Sequence, residues 1–278
     1  DMAADLARLR AHDADPGLIR RVNRLVSRAH AQIYRGADRR SFSIREFFTT
    51  HYPRLFRQTW RFTAASFILC AAFYLMAYYT VQERPELVSD VMGGMMDREF
   101  AGAKTPGDIR DRFREADSVI LSSAVTTNNI KVALTAFALG ITFGIGTVWV
   151  LIVNGSMLGG IAGAFANSGI EGVLWMTILP HGALELSAII VAGGAGLQLA
   201  WPLWCPGRRT RRRALREDAV KAVLLAVGLV PAFIVAGFFE GFVTPSDVLP
   251  EWVKLAMGLA VAAVFWAWLI FFGHEAPR

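Results

Sequence analysis

The sequence predicts an all-α membrane protein, a polytopic bundle of about six transmembrane helices with an N-terminal amphipathic helical region. Its 278 residues are 54% hydrophobic and only 19% charged, which is too apolar for an ordinary soluble domain. Its apolar residues are gathered in stretches long enough to cross a bilayer as helices. Arginines concentrate in the connections, as they do in cytoplasmic loops of membrane proteins.

Charge and cysteine content exclude several classes of protein. The net charge of +6 could indicate nucleic-acid binding, but the arginines cluster beside apolar segments and no basic face carries interleaved aromatic residues. We therefore expect no nucleic-acid partner. Cys70 and Cys205 have no metal-ligand spacing and form no disulfide framework. The polar start lacks the apolar core of a signal peptide, so the first span is predicted to be a retained helix.

Residues 1–61 are polar and arginine-rich, and their apolar positions recur at intervals of three and four, which predicts amphipathic helices. Residues 47–60 mix aromatic side chains with arginines. This mixture suits a helix in the headgroup layer or a helix packed on the cytoplasmic mouth of the bundle. The sequence thus predicts a cytoplasmic or interfacial region over 1–61 and a transmembrane bundle over 62–273.

The first span is the clearest, because residues 62–81 form an apolar stretch of about 20 residues. Residues 82–118 are charged and lean acidic, so we predict that they form an extracytoplasmic insertion. Paired glycines at 93–94 and the Pro106–Gly107 dipeptide predict that this insertion consists of short helices.

Residues 130–153 predict the second span, with Asn129 at its outer mouth and an inner turn at Asn154–Gly155. The next apolar piece, residues 155–168, is short, and we predict a short or partly re-entrant third span. Gly155, Gly159 and Gly163 recur every four residues in it, a spacing that lets helix backbones approach closely. Such a face could pack within one chain or form a homodimer.

Residues 175–199 predict a fourth span that is broken or bent at Pro180. The arginine-rich residues 203–217 follow as a basic loop, which the positive-inside rule places in the cytoplasm. Residues 219–239 and 252–272 predict a closing hairpin. The count is then six spans with both termini cytoplasmic; a five-span alternative would leave the short C-terminal tail outside.

His181 and Glu185 are ionisable groups inside an apolar stretch, one helical turn apart on one helix face. In lipid such residues usually face a bundle interior or a wet cavity. They could form a buried acid and base, part of a metal site, an ion-contacting pair, or a hydrogen bond that joins two helices.

Known catalytic motifs do not fit this segment. The His181–Glu185 spacing lacks the second histidine of the zinc-protease helix, and a zinc site would need a third ligand. Ser156 and Ser187 lack the nucleophile-elbow pattern, and the glycines at 140, 144 and 146 lack a following lysine. We therefore expect no metal, no cofactor and no enzymatic activity.

Four segments occur in an order that resembles the stage II sporulation protein M family of multi-pass bacterial membrane proteins. They begin at Asn129, Asn154, Pro180 and Glu240 and include the run Pro-His-Gly-Ala-Leu-Glu-Leu-Ser. The similarity covers roughly residues 47–250. It implies that the family's polar positions correspond to Asn129, Asn154, His181, Glu185 and Glu240.

The resemblance implies a component of a membrane assembly. The sporulation member is associated with peptidoglycan remodelling by holding cell-wall hydrolases at the membrane, and other members are encoded beside AAA-type ATPases. We therefore expect a non-enzymatic scaffold of the cell envelope in the bacterial inner membrane that recruits such partner proteins. The alternative is a transporter or channel with a polar site at His181 and Glu185, because broken helices often mark transport sites. A third hypothesis, an intramembrane hydrolase, lacks both ligands and a nucleophile.

Overall fold

The computed structural model describes residues 43–92, 118–244, 246 and 248–273. These residues form helices, turns and loops and contain no strand, which confirms the all-α prediction. The predicted helices of residues 1–42 and most of the acidic insertion lie outside the described residues. The chain divides into two units, Asp1–Glu46 and Phe47–Arg278. In the first unit the described part is Ser43 and the helical turn Ile44–Glu46, where the Glu46 N–H donates to Ser43 Oγ.

The second unit contains the helix bundle. A π-helical turn, Phe47–His51, leads into the first helix, and short 3₁₀ turns occupy Pro85–Leu87 and Leu139–Ile141. A second π-helical turn, Phe239–Val243, ends the seventh helix. The helices are α1 (Tyr52–Glu83), α2 (Val88–Met92), α3 (Ser118–Ala138), α4 (Ile145–Asn167), α5 (Glu171–Trp204), α6 (Arg211–Val227), α7 (Val230–Phe238) and α8 (Glu251–Phe271).

Five segments of the described chain are long and apolar enough to cross a membrane. They are Ile44–Glu83, Ile145–Asn167, Glu171–Trp204, Arg211–Val243 and Glu251–Phe271. Helix α3 has 21 residues, long enough to span, but Asn128, Asn129 and Lys131 make it less apolar. The chain is therefore a multi-pass membrane protein, with α3 as a sixth long helix.

Helix α5 occupies the centre of the bundle. In its most apolar window 78% of the residues are buried, against 50% or less in the other four candidate spans. Leu151 and Thr147 of α4 lie against Gly193 and Gly196, so α4 runs antiparallel to α5.

Two other helices run parallel to α5. On α3, Asn129 bonds to Glu185, and further along the Ala136 carbonyl faces Gly196. On α8, Gly258 lies against Pro180, and the Trp266 indole N–H donates to Ser187 Oγ at 2.9 Å.

The glycine row on α4 packs against α1. Gly155, Gly159 and Gly163 face the backbone carbonyls of Cys70, Tyr74 and Tyr78 respectively. The contacts advance together along both helices, so α1 and α4 are parallel. A Cβ atom would be too close at each glycine; even at Gly163 it would lie 2.7 Å from the Tyr78 oxygen. This glycine face, which could have formed a homodimer, is therefore used within the chain.

The start of α1 and the end of α8 lie together. The Tyr52 ring stacks on Trp268 with centroids 5.2 Å apart, and the Trp268 indole N–H donates to the Phe48 carbonyl at 2.8 Å. Tyr52 and Phe56 are buried against residues of α6 and α8. The aromatic residues at the beginning of α1 thus pack on the bundle, and α1 continues through residue 61 without interruption.

The predicted inner turn at Asn154–Gly155 is wrong. Both residues lie inside α4, and the chain turns instead at Thr142–Gly144, where Phe143 (φ 57°) and Gly144 (φ 81°) have left-handed backbone conformations. The predicted spans 130–153 and 155–168 were therefore divided at the wrong point. The turn has no charged residue, so hydropathy did not reveal it. The Trp204 indole N–H fixes it by donating to the Phe143 carbonyl at 2.9 Å.

The predicted break at Pro180 is absent, because α5 is a continuous helix from Glu171 to Trp204. Proline removes one backbone donor, but neighbouring helices allow membrane helices to accommodate it. Here Gly258 of α8 approaches the Pro180 carbonyl so closely that a Cβ atom there would collide with it. Pro180 therefore marks a close contact between α5 and α8.

The α1–α4 contact predicts a large effect of a single methyl group. Gly159→Ala should lower the free energy of unfolding by about 1–3 kcal/mol, because the new methyl would overlap the Tyr74 carbonyl. Gly237→Ala is the matched control, since a Cβ at this α7 position meets nothing within 4 Å. Thermal unfolding in detergent measures both. Equal stability of the two variants would contradict the close packing of α1 and α4.

Candidate functional site

The candidate site is built on α5, the most enclosed helix. His181 and Glu185 lie on the same face and are 2% and 0% exposed. Asn129, Asn154 and Glu240 are buried as well. A carboxylate in such surroundings needs hydrogen-bond donors to offset the lost hydration.

Asn129 supplies one of these donors. Its Nδ2 lies 2.6 Å from Glu185 Oε2, which joins α3 to α5. Asn129 lies two residues after the exposed Thr127, which is the first α3 residue whose side chain the structure describes. The bond explains why the polar α3 packs in the bundle despite its asparagines.

Glu240 lies in the π-helical turn Phe239–Val243 that follows α7. This turn packs against both α3 and α5, the two helices that carry Asn129 and Glu185. The candidate site therefore draws on three segments, and the turn that carries Glu240 packs on both helices of the Asn129–Glu185 pair. π-helical turns are frequent at functional sites.

His181 differs from Glu185 in its contacts. Its buried Nδ1 atom has no hydrogen-bond partner within the described part of the chain. An imidazole nitrogen without a partner in an apolar setting costs free energy, so it indicates a place where a ligand, ion or water could bind. Across the described residues no group of three histidine, cysteine or acidic side chains comes together to hold a metal.

Asn154 and the glycine row on α4 lie at the α1–α4 contact, not beside Glu185. Asn154 forms a side-chain hydrogen bond with Cys70, in the same α1–α4 contact that Gly155, Gly159 and Gly163 create. The structure thus brings Asn129, Glu185 and the Glu240 turn together and places Asn154 at a helix-packing contact.

Several buried polar residues of the structure were not among the predicted site residues. Lys254 of α8 is buried and donates to the Thr244 carbonyl at 2.9 Å and to Glu251 Oε1 at 2.8 Å. Ser187 accepts the Trp266 bond, and Thr147 donates to the Ala136 carbonyl at 2.6 Å. Of these residues, only Lys254 could have been identified from the sequence, because it is a charged residue within an apolar span. The burial of Ser187 and Thr147 depends on tertiary packing.

The Asn129–Glu185 bond predicts a loss of stability on truncation. Asn129→Ala should lower the free energy of unfolding by about 1–2 kcal/mol, the upper range for a hydrogen bond between membrane helices. Asn128→Ala is the matched control, because Asn128 is the neighbouring amide and is only half-buried. Unfolding by SDS titration compares the two. If Asn129→Ala is as stable as the control, the bond does not brace the bundle.

Comparison with known proteins identifies a family over most of the bundle. Residues 66–245 match the family model described as stage II sporulation protein M, and residues 1–35 match a domain family of unknown function. An uncharacterized protein of Methanocaldococcus jannaschii is 30% identical over 126 residues, which cover 44% of this chain and 70% of the relative. No solved structure matches significantly. The family model covers most of the helix bundle, and the chain is a member of the stage II sporulation protein M family.

Proposed function

We propose that this chain is a non-enzymatic scaffold of the bacterial inner membrane that recruits partner proteins to an assembly of the cell envelope. The observation that carries this proposal is the Asn129–Glu185 bond, which uses buried polar groups to join α3 and α5. Polar groups on two membrane helices that hydrogen-bond to each other serve to position those helices. They favour a rigid platform for other proteins over a catalytic centre.

The orientation of the bundle follows from charge. The basic connection after α5 lies at the end of the bundle where α1 begins and α8 ends, because α5 and α8 run parallel to each other and antiparallel to α4 and α1. Acidic residues lie at the other end, where α1 ends at Glu83 and Glu86 and Asp90 follow it. From the positive-inside rule we infer that the basic end faces the cytoplasm, and we propose that both termini are on that side.

The basic connection offers a surface for a cytoplasmic partner such as an AAA-type ATPase. Arg209 bonds to Glu217 and Asp218, each at 2.8 Å, and these two carboxylates raise the pKa of its guanidinium. Exposed arginines lie close in sequence to these three residues: Arg208, Arg211, Arg212 and Arg216. The opposite end, with the acidic insertion, would face cell-wall hydrolases outside the membrane.

Replacing residues 93–117 by a short Gly-Ser linker tests recruitment outside the membrane. The variant keeps α2 and α3, so the spans should remain intact, and it should no longer co-purify with a cell-wall hydrolase after crosslinking in cells. Thermal unfolding in detergent checks that the bundle is preserved.

Reversal of charge at Arg211 and Arg212 to glutamate is the control for that replacement, since it alters only the opposite end. It should leave hydrolase capture unchanged. Undiminished capture by the linker variant would rule out the insertion as the recruiting element.

A second candidate function, transport, is supported by the buried His181 Nδ1 atom that has no partner among the described residues. Ionisable residues inside membrane bundles commonly mark ion or proton pathways. Because His181 and Glu185 share one face of α5, an ion crossing the bundle there would meet both.

Flux through proteoliposomes tests the transport function. If His181 and Glu185 contact an ion, His181→Ala and Glu185→Gln should abolish flux while the protein still folds. Cys70→Ala is the control, because Cys70 lies at the α1–α4 contact. Identical proton and cation flux in all variants and in empty liposomes would remove transport from consideration.

A further inference from the structure

An open groove lies between α1, α5 and α8 on the membrane-facing side of the bundle. Its volume is about 570 Å³, within the range of about 300–1,000 Å³ typical of small-molecule sites. Nearly all its walls are apolar, with Phe56, Trp60 and Phe67 from α1, Ile190 from α5, and Trp266 from α8. The exposed faces of Trp60 and Phe67 leave the groove open along its length.

One end of the groove carries a positive charge. Arg57 lines it, and Arg57 Nη1 donates to the Leu269 carbonyl at 3.3 Å, to the Ile270 carbonyl at 3.2 Å and to the Phe272 carbonyl. The guanidinium therefore holds the C-terminal end of α8, the negative end of its helix dipole. All these bonds use Nη1, while a guanidinium has five N–H donors. Nη2 and Nε are thus the atoms from which Arg57 can bind an anion at the mouth of the groove.

The dimensions match a lipid. Phe67 is ten residues beyond Arg57 on α1, or about 15 Å along the helix. That length is about half of the roughly 30 Å hydrocarbon core of a bilayer. Trp60 and Trp266 flank the charged end, and tryptophan is enriched at the level of lipid headgroups. The groove thus pairs a charge at headgroup depth with an apolar channel one leaflet long.

We propose that this groove binds one anionic phospholipid, with its phosphate on Arg57 and an acyl chain lying along Phe67 and Ile190. Arginine suits phosphate because its planar fork can form two parallel hydrogen bonds. The phosphate would neutralise Arg57, and the chain would cover apolar surface from three helices. The bound lipid would thereby connect α1 to α5 and α8 at the point where α8 ends.

Photocrosslinking of the full chain in nanodiscs tests this site. The probes are phosphatidylglycerol and phosphatidylcholine, each with a diazirine on the acyl chain, and the labelled residues are identified by mass spectrometry. Phosphatidylglycerol should label the peptides that contain Phe67 and Ile190. Phosphatidylcholine should label them roughly tenfold less, as expected when a charge-assisted contact is replaced by a weaker one.

Two variants separate headgroup from chain binding. Arg57→Gln should reduce phosphatidylglycerol labelling about tenfold, whereas Arg216→Gln, which removes an exposed charge from α6, should leave it unchanged. Ala64→Phe, whose new ring would fill the groove lined by Ala64, should abolish labelling while Arg57 is retained. If Arg57→Gln does not fold, Ala64→Phe carries the test.

Several results would overturn the proposal. Equal labelling by the two lipids would show that no headgroup is recognised, and unchanged labelling in Ala64→Phe would show that the chain lies elsewhere. Crosslinks between two protein chains at Phe67 would show that a second copy occupies the groove instead.

Discussion

The close approach of helix backbones to α5 is the constraint on which this structure depends. Gly194 lies against the α1 backbone at Thr63, and Gly196 lies against the Ala136 carbonyl of α3. Where no side chain intervenes, helices can touch backbone to backbone, as small residues permit in membranes. This packing shields α5 from lipid, and a buried carboxylate such as Glu185 is tolerable only in a place so enclosed.

Composition was sufficient to predict the fold class, and periodicity identified Gly155–Gly163 as a close-packing face without showing that its partner is α1. The chain reversal between α3 and α4 was not predicted, because Leu139–Gly146 has no charged residue and no proline. Its threonine and its three glycines are residue types that also occur within membrane helices. Asn154–Gly155, a turn signal in aqueous proteins, lies within a helix here. Its amide bonds to Cys70 and its glycine admits the α1 backbone, so the features that indicate a loop in water indicate packing in this bundle.

The residues of the candidate site could be predicted from the sequence, but their hydrogen-bond partners could not. His181 and Glu185 could be identified because charge is costly in lipid. The partner of Glu185 is 56 residues away, and only the parallel packing of α3 on α5 brings Asn129 to it. Asn154 had the same residue type and a similar position beside an apolar stretch, yet it lies on α4, where its hydrogen bond leads to α1. Residue type therefore indicated which polar side chains are buried. The direction and packing of the helices determined which of those side chains form hydrogen bonds with each other.

The Phe143 backbone has a consequence for the order in which the chain matures. A bulky residue with φ 57° is strained, at a cost of order 1–3 kcal/mol. Trp204 offsets that cost through its bond to the Phe143 carbonyl and the edge-on contact of the two rings, whose centroids are 5.7 Å apart. Trp204 lies 61 residues after Phe143, so this bond can form only once α5 has been synthesised to its last residue. A nascent chain that ends before Trp204 would lack the contact that stabilises the α3–α4 turn.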